Sequence, residues 1–360
     1  MPPRRGETVP AAAANPSPRE RFLKLVKGET RGVLPSLARF GLWLLSLGYG
    51  LAVRLRNAAY SWGWLRVERA PVPVISVGNL TAGGTGKTPF VEWVCRLLRE
   101  DRLVAILSRG YGAHDEALVL EENLPDVPHF QGPDRAALAR AAVEECESQA
   151  LVLDDGFQHR RLHRDLDLVL IDATDPWGGG HLLPRGLLRE PVSGLRRAHA
   201  VVLTRTDQVE THRLADLRKA LARWGKPVAE AVHRPSSLVG VSGGSPLSDL
   251  AGRSVAGFCG LGNPEAFRRT LEGLGTMIAD FRAYPDHHPY TREDVDDLGR
   301  WARAQPEGAW LVTTQKDLVK LRVESLGGRQ LRAVRIEMEI RSGREELEAL
   351  VRAACQGGRP

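Results

Sequence analysis

The segment Thr81-Ala82-Gly83-Gly84-Thr85-Gly86-Lys87-Thr88 constrains the fold more than any other stretch of the chain. It follows an apolar run over 72–77 and leads into a helix-patterned run from Phe90 to Arg99. Strand, glycine-rich turn, Lys-Thr and helix is the order that holds a nucleoside triphosphate. Small residues let backbone N–H groups close around phosphate oxygens, and the helix N-terminus adds positive partial charge. In that arrangement Lys87 reaches the β- and γ-phosphates and the Thr88 hydroxyl binds Mg²⁺. Thr81 stands where the usual motif has its first glycine. The competing reading is an ordinary glycine turn before a helix.

At 360 residues the chain is long enough for two domains or one enlarged α/β domain. Cys95, Cys146, Cys259 and Cys355 show no C-x-x-C spacing. That argues against a disulfide framework or a zinc site and fits a reducing compartment. The net charge of +6 is uneven: residues 1–70 hold twelve Lys/Arg against four Asp/Glu. A basic N-terminal segment on a near-neutral body points to an anionic membrane surface rather than a nucleic-acid groove. No basic strand interleaved with aromatics supports nucleic-acid readout, and nothing in the sequence calls for an obligate protein partner.

Residues 1–18 are rich in Pro, Ala and charge and are expected to be disordered, with a basic tail running to about 30. No apolar core with a cleavage site follows, so they do not read as a signal peptide. From Leu34 to Tyr60 the chain turns apolar and aromatic, most densely over 40–53, with Arg39 before and Arg54 and Arg56 after. Fourteen residues fall short of a bilayer span. Flanking arginines and internal aromatics suit a helix lying in the headgroup region. A buried core helix and a short transmembrane segment are the alternatives. After Pro71 a βα rhythm begins. Strands are expected at 72–77, 103–107, 150–154, 167–171 and 200–204, with helices at 88–100 and 134–147, the second capped by Asp134. A second set follows, with strands near 237–242, 254–259, 309–313 and 332–338 and helices near 264–273, 291–304 and 343–354. The expected fold class is α/β: a P-loop-type parallel sheet covered by helices. A smaller second α/β domain and an N-terminal interfacial helix complete it. The expected division is a membrane-associated segment 31–70, a kinase-like core 71–230 and a second domain 231–360 completing the cleft.

Several clusters carry chemistry. The apolar run 150–153 ends in Asp154-Asp155-Gly156-Phe157-Gln158-His159. An Asp at the strand end beside a phosphate loop holds Mg²⁺, directly or through water. The two carboxylates face different sides of a continuing strand, so one of them faces the metal, and the sequence does not say which. Ser108-Arg109-Gly110-Tyr111-Gly112-Ala113-His114-Asp115-Glu116 follows the second strand, at the ligand-binding end of a parallel sheet. There Asp115 is either a base that accepts a hydroxyl proton or part of a solvated acidic loop. In Gly178–Pro191, Arg185 and Arg189 suit phosphate, or the segment is a charged connector. Asp286-His287-His288 reads first as structural, with no third ligand at zinc spacing. Thr204-Arg205-Thr206-Asp207 and Thr313-Thr314-Gln315-Lys316-Asp317 each end a strand and carry a weak hint of contact with a nucleotide base.

Together these residues resemble the tetraacyldisaccharide 4'-kinase family, the lipid A 4'-kinases. The resemblance runs from about Arg39 to Leu321 and rests on an ordered set. Gly78-Asn79-Leu80 leads into Gly-Gly-Thr-Gly-Lys-Thr-Pro, and Ser-Arg-Gly-Tyr-Gly, Asp-Glu and Asp-Asp-Gly-Phe-Gln-His follow. Leu-Pro-Arg-Gly-Leu-Leu-Arg-Glu-Pro, Gly-Leu-Gly-Asn-Pro, Asp-His-His and Thr-Gln-Lys-Asp complete it. The family's phosphate loop also lacks the first glycine, so Thr81 agrees with it. The segment between Tyr111 and Asp115 is shorter than usual, His114 stands for a glycine, Ala117 for a proline and Gln315 for a glutamate.

The resemblance implies an ATP- and Mg²⁺-dependent kinase acting on the 4'-hydroxyl of a lipid A disaccharide precursor at the cytoplasmic face of the inner membrane. It places the catalytic carboxylate at Asp115, its partner at His287 and the metal carboxylates at Asp154, Asp155 and Glu116. Lys87 acts on the phosphates, and Arg109, Arg185 and Arg189 are the candidates for substrate phosphate. The competing functions are a soluble P-loop GTPase or metallochaperone and a non-enzymatic membrane-bound ATP-binding module.

Overall fold

In the computed structural model, residues 18–110, 114–241 and 243–356 are described. Residues 1–17 and 111–113, both read from sequence above, lie outside them. Part of the expected basic tail is helical, as α1 (Pro18–Lys27). The apolar stretch forms α2 (Val33–Ser61), twice the length of its dense centre. At 1.5 Å per residue it is about 43 Å long. Among the described residues it is the one helix long and apolar enough to cross a membrane. It is not the buried core helix kept as an alternative, since only Ser46, Gly50 and Val53 along it are buried.

The first βα set follows: β1 (Val74–Asn79), α3 (Lys87–Leu98), β2 (Val104–Ser108), α4 (His114–Asn123), β3 (His129–Gln131), α5 (Arg135–Cys146), β4 (Ala150–Asp154), β5 (Leu166–Asp172), β6 (Ala200–Thr204) and α6 (Thr211–Ala222). The second comprises β7 (Val228–Gly240), β8 (Gly243–Ser245), β9 (Ser254–Cys259), α7 (Pro264–Gly273), β10 (Met277–Ala283), α8 (Arg292–Arg303), β11 (Trp310–Thr314), α9 (Gln315–Leu321), β12 (Ser325–Leu326), β13 (Arg329–Ser342) and α10 (Arg344–Gln356). Caps anticipated from sequence are made: the Asp134 carboxylate accepts the amides of Ala136 and Ala137 at the start of α5.

One sheet runs through both sets in the order β10-β9-β11-β13-β7-β6-β5-β1-β4-β2-β3. Pairing is parallel from β3 through to β7 and from β10 through to β13, and antiparallel where β7 meets β13, β7 meets β8 and β12 meets β13. The expected boundary at 230/231 therefore falls inside a strand rather than in a linker. The strands β1, β2, β4 and β6 are buried along their length apart from the Asp154 end of β4. That matches their continuous apolar composition and helices on both faces. Core side chains such as Ile75, Phe90, Leu168 and Val202 are sealed between β1, β5 and β6 and the overlying α3. The four cysteines are free, and Cys95, Cys259 and Cys355 are buried.

Candidate active site

The phosphate loop leaves β1 at Asn79 and enters α3 at Lys87. Gly83 at φ 138° and Gly86 at φ 85° take backbone conformations that a side chain disfavours. Gly86 has a second reason to lack a side chain: a Cβ there would strike the His233 ring. Asn79 Nδ2 donates to Thr85 Oγ1 at 3.0 Å across the loop. Not every amide of the loop is open to phosphate. The Ala82 N–H donates to Leu187 O at 2.7 Å, and Thr81 bridges to Leu188. The glycine-, arginine- and proline-rich segment 178–191 is thus the wall of the loop.

That segment also seats α2. Tyr49 Oη donates to Arg189 O at 2.7 Å, and Asn57 Nδ2 donates to Glu190 Oε2 at 3.2 Å. Arg185 donates to Val26 O at 2.8 Å, closing the end of α1. Glu190 is buried and paired with Arg197, and Gln158 Nε2 bridges Glu190 to Asn79 O at 2.9 Å each. Sequence reasoning missed Gln158 and Glu190, although both lie in motifs it singled out.

The two adjacent carboxylates at the end of β4 have separate environments. Asp155 takes both its oxygens to Arg189 Nη1 at 2.7 Å, with Lys87 Nζ at 3.5 Å. Burial alone would raise its pKa, but Lys87 and Arg189 outweigh it and hold the carboxyl below the ordinary value. Asp154 keeps some exposure as a residue, yet its Oδ1 is sealed from solvent with no hydrogen-bond partner. Burial pushes its pKa up to about 6; Lys87 opposes this, while Asp155 and Glu116 add to it. Arg189, expected on substrate phosphate, is therefore engaged with Asp155, and Arg185 with α1. Arg109 is exposed at the end of β2.

Asp115 is not part of a solvated loop. It lies in the first turn of α4 and is 4% exposed. His287 Nδ1 lies 2.9 Å from its Oδ2 and 3.1 Å from its Oδ1. Lys320 of α9 is 4.0 Å away, and Lys316 donates to Glu116 Oε1 at 2.8 Å. Burial would raise the pKa of Asp115, but His287, Lys316 and Lys320 together bring it below the ordinary value. The hydrogen bond to Asp115 raises His287 above its ordinary value against the effect of burial. The histidine pair divides its work. His288 sits 3.0 Å from Asp294 and packs against Tyr284 and Tyr290, so it builds the loop that presents His287. Gly260, in the Gly-Leu-Gly-Asn-Pro motif, accepts the His287 amide and donates its own to buried Asp317. Lys316, Asp317 and Lys320 thus surround the carboxylate side of the site.

No group of three or more His, Cys, Asp or Glu among the described residues is placed to hold a metal by itself. The donors that could share a cation with a nucleotide are the sealed oxygen of Asp154 and the Thr88 hydroxyl at the start of α3.

Comparison with known proteins gives a consistent result. The sequence profile of the tetraacyldisaccharide-1-P 4'-kinase family matches residues 38–356. The tetraacyldisaccharide 4'-kinase of Anaeromyxobacter dehalogenans (strain 2CP-C) is 45% identical over 349 residues, 89% of this chain and 92% of that one. That of Syntrophus aciditrophicus is 42% identical over 317 residues, 78% of this chain and 83% of its own. Among solved structures, the "apo" form of LpxK from Aquifex aeolicus in complex with ATP superposes with a TM-score of 0.72 at 33% identity. It covers 88% of this chain and 99% of that one.

Proposed function

The chain belongs to the tetraacyldisaccharide-1-phosphate 4'-kinase family, and from that membership and the site's geometry we propose that it phosphorylates the 4'-hydroxyl of a lipid A precursor disaccharide with ATP. The substrate oxygen attacks the γ-phosphorus in line, the bond from that phosphorus to the β,γ-bridging oxygen breaks, and ADP leaves. Asp115 accepts the hydroxyl proton, and His287 orients the carboxylate. Lys87 and the open amides of the phosphate loop stabilise the charge on the transferring group. The observation that carries this reading is the physical union of two halves of the site. Lys87 opens α3 and Asp115 lies in the first turn of α4, and the two helices are tied where Asn123 Nδ2 donates to Glu92 Oε2 at 2.9 Å.

Mg²⁺ fits the donors present, because a hard cation takes one or two carboxylates together with phosphate oxygens and water. We assign Thr88 and the unpartnered oxygen of Asp154 as its direct ligands, with Asp155 and Glu116 around them. When bound, the ion would neutralise charge on the β- and γ-phosphates. Arg109, the exposed one of the three arginines, is the candidate for the substrate's 1-phosphate. Residues 71–230 form the nucleotide-holding core, residues 231–360 supply His287 and α9, and β7 and β13 join them. The exposed apolar side of α2 and the basic N-terminal segment keep the site at an anionic bilayer surface on the cytoplasmic side, where ATP is found.

Incubation with ATP, Mg²⁺ and a tetraacyldisaccharide 1-phosphate in detergent tests the reading by mass spectrometry of the lipid. One added phosphate at the 4'-position is expected. An unphosphorylated lipid, or a preference for GTP over ATP, overturns it.

A further inference from the structure

Three successive residues of the phosphate loop are met from behind by side chains of β6, its end and β7. Arg205 Nη2 donates to Gly84 O at 2.8 Å, and Thr204 Oγ1 donates to Thr85 O at 2.9 Å. The His233 ring closes on Gly86. Arg205 is itself held, because Asp172 at the end of β5 takes Nη1. Thr204 is fully buried.

A trans peptide sets the meaning of these contacts. Carbonyl oxygen and amide hydrogen of one peptide unit point to opposite sides. A Gly84 carbonyl pinned on Arg205 therefore turns the Thr85 N–H the other way. A Thr85 carbonyl pinned on Thr204 does the same for the Gly86 N–H. Glycines at 83, 84 and 86 leave these peptides otherwise easy to flip. A flipped peptide would present a carbonyl oxygen, not a donor, to a phosphate.

We propose that Arg205, with Thr204, is a nucleotide-positioning residue that latches the phosphate loop with its Thr85 and Gly86 amides facing the triphosphate. The latch acts through the loop and does not touch the reacting atoms. This rests on the loop being the nucleotide site. The Thr-Arg-Thr-Asp stretch, weakly tied to a nucleotide base by sequence, thus acts on the phosphates through the backbone.

The test compares wild type, Arg205→Met, Arg205→Lys and Thr204→Val for equilibrium binding of Mg²⁺-ATP without lipid, and for KM and kcat. Loss of a charge-assisted hydrogen bond predicts ATP affinity about tenfold or more weaker in Arg205→Met. KM for ATP should rise in parallel while kcat at saturating ATP changes by less than about threefold, the signature of ground-state binding. Arg205→Lys should recover part of the affinity, and Thr204→Val should show the same pattern more weakly. If Arg205→Met fails to fold, Asp172→Asn, which loosens the guanidinium while keeping it on the chain, should also raise KM for ATP. ATP affinity in the folded variants within about twofold of wild type, or a fall in kcat with unchanged affinity, overturns the latch. Failure of wild type to bind ATP would instead overturn the reading of the loop itself.

Discussion

His287 Nδ1 lies 2.9 Å from Asp115 Oδ2, a contact between residues 172 positions apart in sequence. It is the point where the second βα set reaches into the site of the first. The shifts of the two groups are opposed: Asp115 is lowered and His287 raised. A lowered carboxylate contributes stability above its unfolded value of about 4 and loses it as pH falls through the folded value. A raised histidine contributes fully below its unfolded value of about 6.5 and loses it as pH rises through the folded value. The pair therefore holds from below the ordinary carboxylate range to above the ordinary histidine range.

His287→Ala removes the main influences that lower Asp115 and leaves burial opposed only by Lys316 and Lys320. The carboxyl pKa should rise, so the acidic limb of the kcat/KM profile should move to higher pH. An acidic limb that stays in place shows that His287 does not set the charge of Asp115.

Asp115→Asn keeps the size of the side chain and removes its basicity. General-base catalysis contributes roughly 10²- to 10⁴-fold, so kcat should fall by that order. ATP affinity should stay within a few fold, because Lys87, Thr88 and the loop amides are untouched. Retention of wild-type kcat would show that another group takes the proton.

The βα frame was legible because its strands are buried on both faces and read as plain apolar runs. The expected bounds 150–154, 200–204, 254–259 and 264–273 coincide with β4, β6, β9 and α7. What failed depends on distant partners. Spacing alone leaves Asp115 open between a base and a solvated acidic residue, because His287 and Lys320, which cover it, lie far away in sequence. β10 was missed because it is an edge strand whose Asp280 and Arg282 face Trp301 and Asp297 rather than an apolar core. His233, Arg234 and Pro235 interrupt the apolar pattern of β7, so the sequence shows only its last part, from 237. Pro235 sits at a register shift against β13, where a missing N–H is tolerated. The phosphate loop and the Asp-Asp pair were legible as types. Their wiring to Arg189, Thr204 and Arg205 was not, since it follows from strand order.

Asp154 and Asp155 should separate on mutation. Asp154→Asn removes a carboxylate whose Oδ1 has no protein partner, so its cost should appear as a higher Mg²⁺ requirement. Asp155→Asn leaves Lys87 and Arg189 beside a neutral group. Its cost should appear first in thermal stability, by about 1–3 kcal/mol for the lost charge-assisted bonds. Titrating Mg²⁺ against activity and melting both proteins without nucleotide distinguishes them. An unchanged Mg²⁺ midpoint in Asp154→Asn rules out its role as direct ligand.

The buried residues of α2, Ser46, Gly50 and Val53, lie on one stripe that packs toward segment 182–190. Leu44 and Leu51 each precede one of them by two positions, about 200° around the helix. They are 50% and 58% exposed, and Leu37, one heptad earlier, is 61% exposed. A soluble fold gains nothing from this apolar line, whereas a bilayer surface buries it, at about 1.5–3 kcal/mol for each fully buried leucine. Replacing Leu37, Leu44 and Leu51 together by Gln leaves the docked stripe and the site intact. Co-sedimentation with anionic vesicles should fall by at least about tenfold, while kcat on detergent-dispersed lipid stays near wild type. Full retention on vesicles would show that α2 is not the membrane contact.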